Sequence, residues 1–293
     1  MLAPFGIIPA MVTPLTKDDK INEPALRKLT NYLVEGGVHG LFAMGSQGEF
    51  WAFSAEEKQR VWEIVVGETR GRVPVYAGTA AITTRETIAL TRLAENTGAD
   101  AVSVLTPFFV APNENELYDH YRAVAESTRL PVLLYGNPTR TGVKILPGLV
   151  ARLAQIKNIV GIKDSSGDLE LSAEYIHVAP SDFAVLMGRD TLIYGGLLYG
   201  AKGAIAATAN VAPRLAVKIY ECFKAGDLAG AKHAQEGLAP LRHAFSWGTF
   251  PVVIKEALDL MGMEGGPARA PVSSLSSEQR ERLKNVLCDI GLI

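Results

Sequence analysis

Cysteine is nearly missing from this chain: two in 293 residues, Cys222 and Cys288, far apart in helix-like sequence. That is neither a disulfide framework nor a zinc pattern, and its plain reading is a pair of reduced thiols in a cytoplasmic protein. Charge of one sign is lacking too. Lys and Arg total 29 against 31 Asp and Glu, a formal net charge of −2, so the footprint of a nucleic-acid binder or a membrane-surface protein is not there. Long apolar runs are also absent. The most apolar stretch, 192–211, is broken by Lys202 and several glycines, which excludes a transmembrane helix. The first twelve residues have no basic start and are interrupted by Pro4 and Pro9, unlike a signal peptide. The five histidines, His39, His120, His177, His233 and His243, share no ligand spacing. No metal is therefore expected, and a zinc-dependent aldolase is set aside. No Gly-x-Ser-x-Gly elbow, P-loop or dinucleotide fingerprint occurs, so no cofactor is expected. The expected partner is a small molecule or another copy of the chain.

What the sequence does contain is alternation. Eight short apolar runs, at 6–12, 41–44, 75–77, 101–105, 131–135, 159–163, 183–187 and 203–207, are each followed by a helical pattern. Ser54 with Glu57, and Thr83 with Glu86, have the spacing of helix-starting capping boxes. Leu90, Leu93, Ala94 and Thr97 then recur at helical spacing. Strict strand–helix alternation calls for parallel strands with helical crossovers. Eight such units predict an α/β fold, a closed (β/α)8 TIM barrel, with a doubly wound open sheet as the alternative. The barrel is assigned to 1–225. Residues 226–293 form a C-terminal helical appendix packed on it, with helices over 228–245, 250–261 and 276–287 and a loop over 265–271.

Within this layout Lys163 stands out. The run Ile159-Val160-Gly161-Ile162-Lys163-Asp164 ends a buried strand on an amine. Desolvation favours the neutral form of such a group, and a neutral amine can attack a carbonyl to form a Schiff base. The competing reading is a lysine just past the strand, solvated or paired with Asp164. Strand alternation puts Lys163 and Ser165 on one side and Asp164 on the other, where it would brace the following turn. Barrel enzymes gather their functional groups at the C-terminal strand ends. Those ends carry Gly45-Ser46-Gln47-Gly48-Glu49, Tyr135-Gly136-Asn137-Pro138, Arg140, Gly188-Arg189-Asp190 and Ile205. The first could be a simple turn or a nest of N–H groups holding a carboxylate. Tyr135 could be a satisfied core tyrosine or a proton shuttle. Arg140 could be a surface residue or a fork onto an anion.

The three segments at 45–49, 135–138 and 161–164, in this order and spacing, resemble the dihydrodipicolinate synthase / N-acetylneuraminate lyase family of class I aldolases, over nearly the whole chain. The resemblance implies a (β/α)8 barrel assembled as a homotetramer. Lys163 would form the imine with the keto carbon of pyruvate or another 2-oxo acid. Tyr135 would relay protons, and Ser46 would position Tyr135. The backbone N–H groups of Ser46 and Gln47 would hold the pyruvate carboxylate, while Gly188 and Ile205 would line the pocket. The implied activity is a lyase that makes or breaks a 2-oxo acid through a pyruvate enamine. Dihydrodipicolinate synthase proper, a 2-keto-3-deoxy sugar acid dehydratase using the same lysine, and a non-catalytic 2-oxo acid binding barrel are the alternatives. Two positions depart from the synthases: Gln47 replaces a threonine, and Phe109 stands where a tyrosine hydroxyl from the dimer partner would complete the proton relay. Arg140 and Arg189 together favour an anionic substrate tail.

Overall fold

The computed structural model describes residues 2–293. The barrel unit runs β1 (Gly6–Pro9), α1 (Glu23–Glu35), β2 (Leu41–Ala43), α2 (Ala55–Thr69), β3 (Val75–Gly78), α3 (Thr84–Asn96), β4 (Ala101–Leu105), α4 (Glu114–Glu126) and β5 (Val132–Gly136). It continues through α5 (Pro138–Thr141), α6 (Pro147–Leu153), β6 (Ile159–Asp164), α7 (Leu169–Val178), β7 (Ala184–Met187), α8 (Ile193–Tyr199), β8 (Gly203–Ala206) and α9 (Pro213–Lys224). Three further helices follow: α10 (Leu228–Ala244), α11 (Val252–Leu260) and α12 (Ser277–Asp289).

All strand pairs are parallel, in the order β1-β8-β7-β6-β5-β4-β3-β2. The ring closes between β1 and β2 through one bridge, Ala10 to Phe42, where the Met11 N–H donates to the Phe42 carbonyl at 2.9 Å. This near-closed barrel removes the open-sheet alternative. The first strand is shorter than its apolar run predicts. Beyond Pro9 the Ala10 N–H still donates to the Ala206 carbonyl at 3.0 Å, and from Val12 on the ladder ends, its N–H being taken by the side chain of Asn210.

The strands are apolar throughout because both faces are buried. One set of side chains, including Ile8, Phe42, Tyr76, Leu133, Leu186 and Ile205, packs inside the barrel. The larger set packs outward against the helices. Helix starts follow their local chemistry: Ser54, Asn113 and Ser276 form full capping boxes. Thr83 caps α3 through the Glu86 N–H alone. The C-terminal helices lie against α8, α9 and the loops beyond β7 and β8, which brings the end of α10 and the segment before α11 to the barrel mouth.

Candidate active site

Neighbouring parallel strands place Lys163 of β6 in register with Tyr135 of β5. Lys163 is 4% exposed. Among the described residues its ammonium has no carboxylate within ion-pair distance; it faces aromatic rings instead, at 4.1 Å from the Tyr135 centroid and 5.0 Å from Phe42. A buried lysine whose nitrogen is set against ring faces rather than an anion is an unusual use of this residue. Asp164 is turned away, accepting the Ser166 N–H at 2.9 Å and the Ser172 hydroxyl at 2.6 Å. It braces the following turn, and the pairing of Lys163 with Asp164 is not what the fold adopts.

The Tyr135 hydroxyl sits 3.3 Å from Ser46 Oγ and accepts a hydrogen bond from the Asn137 amide at 3.2 Å. Burial pushes this phenol up. The nearby Lys163 charge and hydrogen bonds from Ser46, Asn137 and Ser165 outweigh burial and bring it to about 8. A phenol that titrates there can give and take protons near neutral pH.

The loop 45–49 is fixed from beneath. The Thr13 hydroxyl donates to the Gly48 carbonyl at 3.0 Å. Glu49, in the left-handed region at φ 60°, is fully buried, with Lys255 Nζ of α11 only 2.5 Å from its Oε1 and the Arg269 N–H donating to its Oε2 at 2.8 Å. Lys255 is itself fully buried and donates to the Pro267 carbonyl at 2.7 Å. Burial lowers its affinity for the proton, and Glu49 works against that shift. Gly188 is held to glycine by space: its N–H donates to the Asp164 carbonyl at 2.7 Å, and a Cβ there would come 2.0 Å from Ser165 Oγ.

These groups converge on one cavity of about 170 Å³ at the C-terminal end of the barrel. Ser46, Gln47, Tyr135, Arg140, Lys163, Gly188 and Ile205 all line it. Gln47 Oε1 is buried and has no hydrogen-bond partner among the described residues. Arg140 stacks its guanidinium on Phe250 at 3.6 Å. Burial and the neighbouring Arg189 lower its proton affinity, while Tyr135 raises it. Arg189 spends its Nε–H on the Ser165 carbonyl at 3.1 Å. Asp190 is engaged with the N–H groups of Ala207 and Thr208 at 3.2 and 2.7 Å.

Several lining residues escaped the sequence reading. Asn137 and Ser165 sit inside segments that drew attention for other members. Arg242, Phe245 and Phe250 come from the C-terminal helical region, where an ordinary amphipathic pattern gives no signal of a site. Phe109 lies elsewhere, 95% exposed on a φ 71° loop after β4 and not lining the cavity. No group of three or more His, Cys, Asp or Glu among the described residues is arranged to hold a metal ion. The arrangement supplies a buried amine, a hydroxyl pair to move protons, a loop of N–H groups, and cations toward the mouth.

The family model of the dihydrodipicolinate synthetase family matches residues 3–290. A 4-hydroxy-tetrahydrodipicolinate synthase of Methanopyrus kandleri is 41% identical over 290 residues, covering 98% of this chain and 97% of that protein. One from Syntrophus aciditrophicus is 42% identical over 288 residues, covering 98% and 99%. Among solved structures, a prophage protein of E. coli K12 from the dihydrodipicolinic acid synthase family, in complex with pyruvate, superposes with a TM-score of 0.95 at 35% identity and covers 99% of each chain.

Proposed function

Because the chain belongs to the dihydrodipicolinate synthetase family, whose members are class I Schiff-base aldolases, we propose that it is a lyase joining pyruvate to an aldehyde through an imine on Lys163, or running that reaction in reverse. The observation that carries this reading is a buried lysine with no carboxylate partner among the described residues, beside a phenol brought to about 8. The amine nitrogen adds to the keto carbon of pyruvate as the carbonyl oxygen takes up a proton. Tyr135 then delivers a proton to the departing hydroxyl, and water leaves a protonated imine. The tyrosinate removes a proton from the adjacent methyl carbon, giving an enamine. That carbon attacks the aldehyde carbon, whose oxygen recovers the proton from Tyr135. Water hydrolyses the new imine, releasing product and free amine. In this reading Ser46 positions Tyr135, and the N–H groups of Ser46 and Gln47 grip the pyruvate carboxylate. Gly188 and Ile205 bound the reacting carbon. Arg140 and Gln47 meet the partner's tail, and Arg140 together with Arg189 supports an anionic tail.

A second reading, 4-hydroxy-tetrahydrodipicolinate synthase proper, is favoured by the names of the relatives at about 40% identity. Turnover of pyruvate with aspartate semialdehyde tests it. We further propose that 1–225 and 226–293 act as one catalytic unit, and that the protein works in the cytoplasm as a homotetramer. Exposed Phe109, Leu198 and Tyr199 support assembly, and unpaired Cys222 and Cys288 support a reducing compartment.

The direct experiment is borohydride reduction in the presence of pyruvate, followed by intact mass and peptide mapping. A stable pyruvate adduct on Lys163, absent from Lys163→Ala, is the expected result. No adduct, or an adduct that survives in the alanine variant, would falsify the Schiff-base reading.

A further inference from the structure

We propose that Asn210, in the turn Thr208–Asn210 that follows β8, is a positioning residue for the loop 45–49: acting through the end of β1 and Thr13, it sets where the N–H groups of Ser46 and Gln47 stand. The proposal rests on the lyase reading for what those N–H groups hold, and goes beyond it in assigning what holds them. Asn210 is fully buried. A side-chain amide out of water is costly unless its donors and acceptor are spent. Its Nδ2 donates to the Ala10 carbonyl at 2.7 Å and to the Ala207 carbonyl at 2.9 Å, and its Oδ1 accepts the Val12 N–H at 3.1 Å. Ala10 and Ala207 both line the cavity. One side chain therefore ties the ends of β1 and β8, beside the seam where the ring closes through the Ala10–Phe42 bridge. The turn that carries it is pinned in its own right, because Asp190 accepts from the Ala207 and Thr208 N–H groups.

The tie reaches the loop by two contacts. Thr13, next to Val12, is buried and donates its hydroxyl to the Gly48 carbonyl at 3.0 Å. The backbone of the same segment lies directly against the loop: a Cβ on Gly48 would come 3.2 Å from the Met11 carbonyl oxygen. Segment and loop therefore shift together. The groups at stake are unspent. Among the described residues no acceptor takes the N–H of Ser46 or of Gln47, and successive N–H groups of this kind make a concave donor site for an anion. Hydrogen bonds to a carboxylate weaken steeply once distance and angle drift. Lys163 and Tyr135 stand on β6 and β5, outside the tie, so loosening the seam weakens pyruvate binding more than it slows the chemistry.

Three variants make the test. Asn210→Asp keeps the shape but sets an anionic oxygen against the Ala10 and Ala207 carbonyls. Thr13→Val keeps the shape and removes the last hydrogen bond of the chain, whereas Thr13→Ser keeps that hydroxyl. N210D and T13V are each expected to raise KM for pyruvate about three- to tenfold, with a smaller change in kcat, and T13S to stay near wild type. Because both residues lie on one path, the double variant N210D/T13V should raise KM no further than N210D alone. Hydrogen exchange read by mass spectrometry should speed up in the peptide holding 45–49 in N210D and T13V, while peptides from β5 and β6 exchange as in wild type. Wild-type KM and exchange in both variants, or effects on KM that multiply in the double variant, overturn the proposal. So does a uniform rise in exchange across the barrel, the mark of general destabilisation. Exchange reads the loop without turnover: acceleration confined to 45–49 in a protein that traps no pyruvate on Lys163 keeps the positioning role and removes the lyase reading.

Discussion

Replacing Lys255 with methionine removes one half of an ion pair that is entirely out of water. Glu49 would keep the Arg269 backbone N–H but lose its one ion-pair partner among the described residues, and Lys255 also supplies a hydrogen bond to the Pro267 carbonyl. Breaking a fully buried pair from one side costs about 3–5 kcal/mol, because a charge is left without compensation. At about 2–4 °C per kcal/mol for chains of a few hundred residues, the melting temperature should fall by roughly 6–20 °C. The damage should also reach function, since Glu49 ends the loop that carries Ser46 and Gln47. KM for pyruvate should rise more than kcat falls. Adding Glu49→Gln to Lys255→Met removes the stranded carboxylate, so the double variant should cost clearly less than the sum of the singles, with a coupling of about 1–3 kcal/mol. Denaturant titrations at fixed protein concentration, with initial-rate kinetics on the four proteins, supply the cycle. Single variants within about 1 kcal/mol of wild type, or simple additivity, would refute the argument that this pair holds the loop.

Tyr135→Phe should lower kcat by about 10²- to 10⁴-fold and erase an inflection near pH 8 from the activity profile; an unchanged profile would assign that proton to another group. The folded-state value of this phenol lies below its ordinary 10, so the stability it contributes is complete above about 10 and is lost as pH falls through about 8. Between those limits the unfolding free energy of wild type, but not of Tyr135→Phe, should rise with pH by roughly 2–3 kcal/mol. Gly188→Ala drives a methyl into Ser165 Oγ and the Asp164 carbonyl; it should destabilise by about 1–3 kcal/mol and slow imine trapping on Lys163 by displacing the end of β6, and trapping at the wild-type rate would contradict this.

The strands were readable because each is a short buried run whose two faces are both apolar, and the lysine was readable because it interrupts one of them. Barrel closure was expected from the count of eight units alone, with no local signal for the contact that makes it. It depends on one bridge between Ala10 and Phe42, and just past that bridge the Val12 N–H is taken by Asn210, some 200 residues away. Positions on the strand rim followed from topology, and the family resemblance is what singled out Ser46, Tyr135, Lys163 and Gly188 among them. Neither singled out Arg242, Phe250 or Lys255. Each sits in helical sequence whose period explains it as an ordinary amphipathic residue, and only the packing of α10 and α11 against the mouth gives it a second meaning. Phe42 was hidden in a similar way: it reads as strand core, and its face beneath the amine appears only when β2 and β6 meet across the barrel interior.

The aromatic floor under Lys163 bears on how charge is handled through the reaction. Along the proposed route the nitrogen is an amine, then a cationic iminium, then a neutral enamine nitrogen, then a cation again. A carboxylate counter-ion would be matched in the cationic states and orphaned in the neutral ones, tilting the cycle toward whichever intermediate it paired with. The π face of Phe42 has no net charge to orphan; it attracts the cation and tolerates its disappearance. Successive intermediates are therefore not sorted by a fixed counter-ion at the nitrogen, and the proton traffic of the cycle is left to Tyr135.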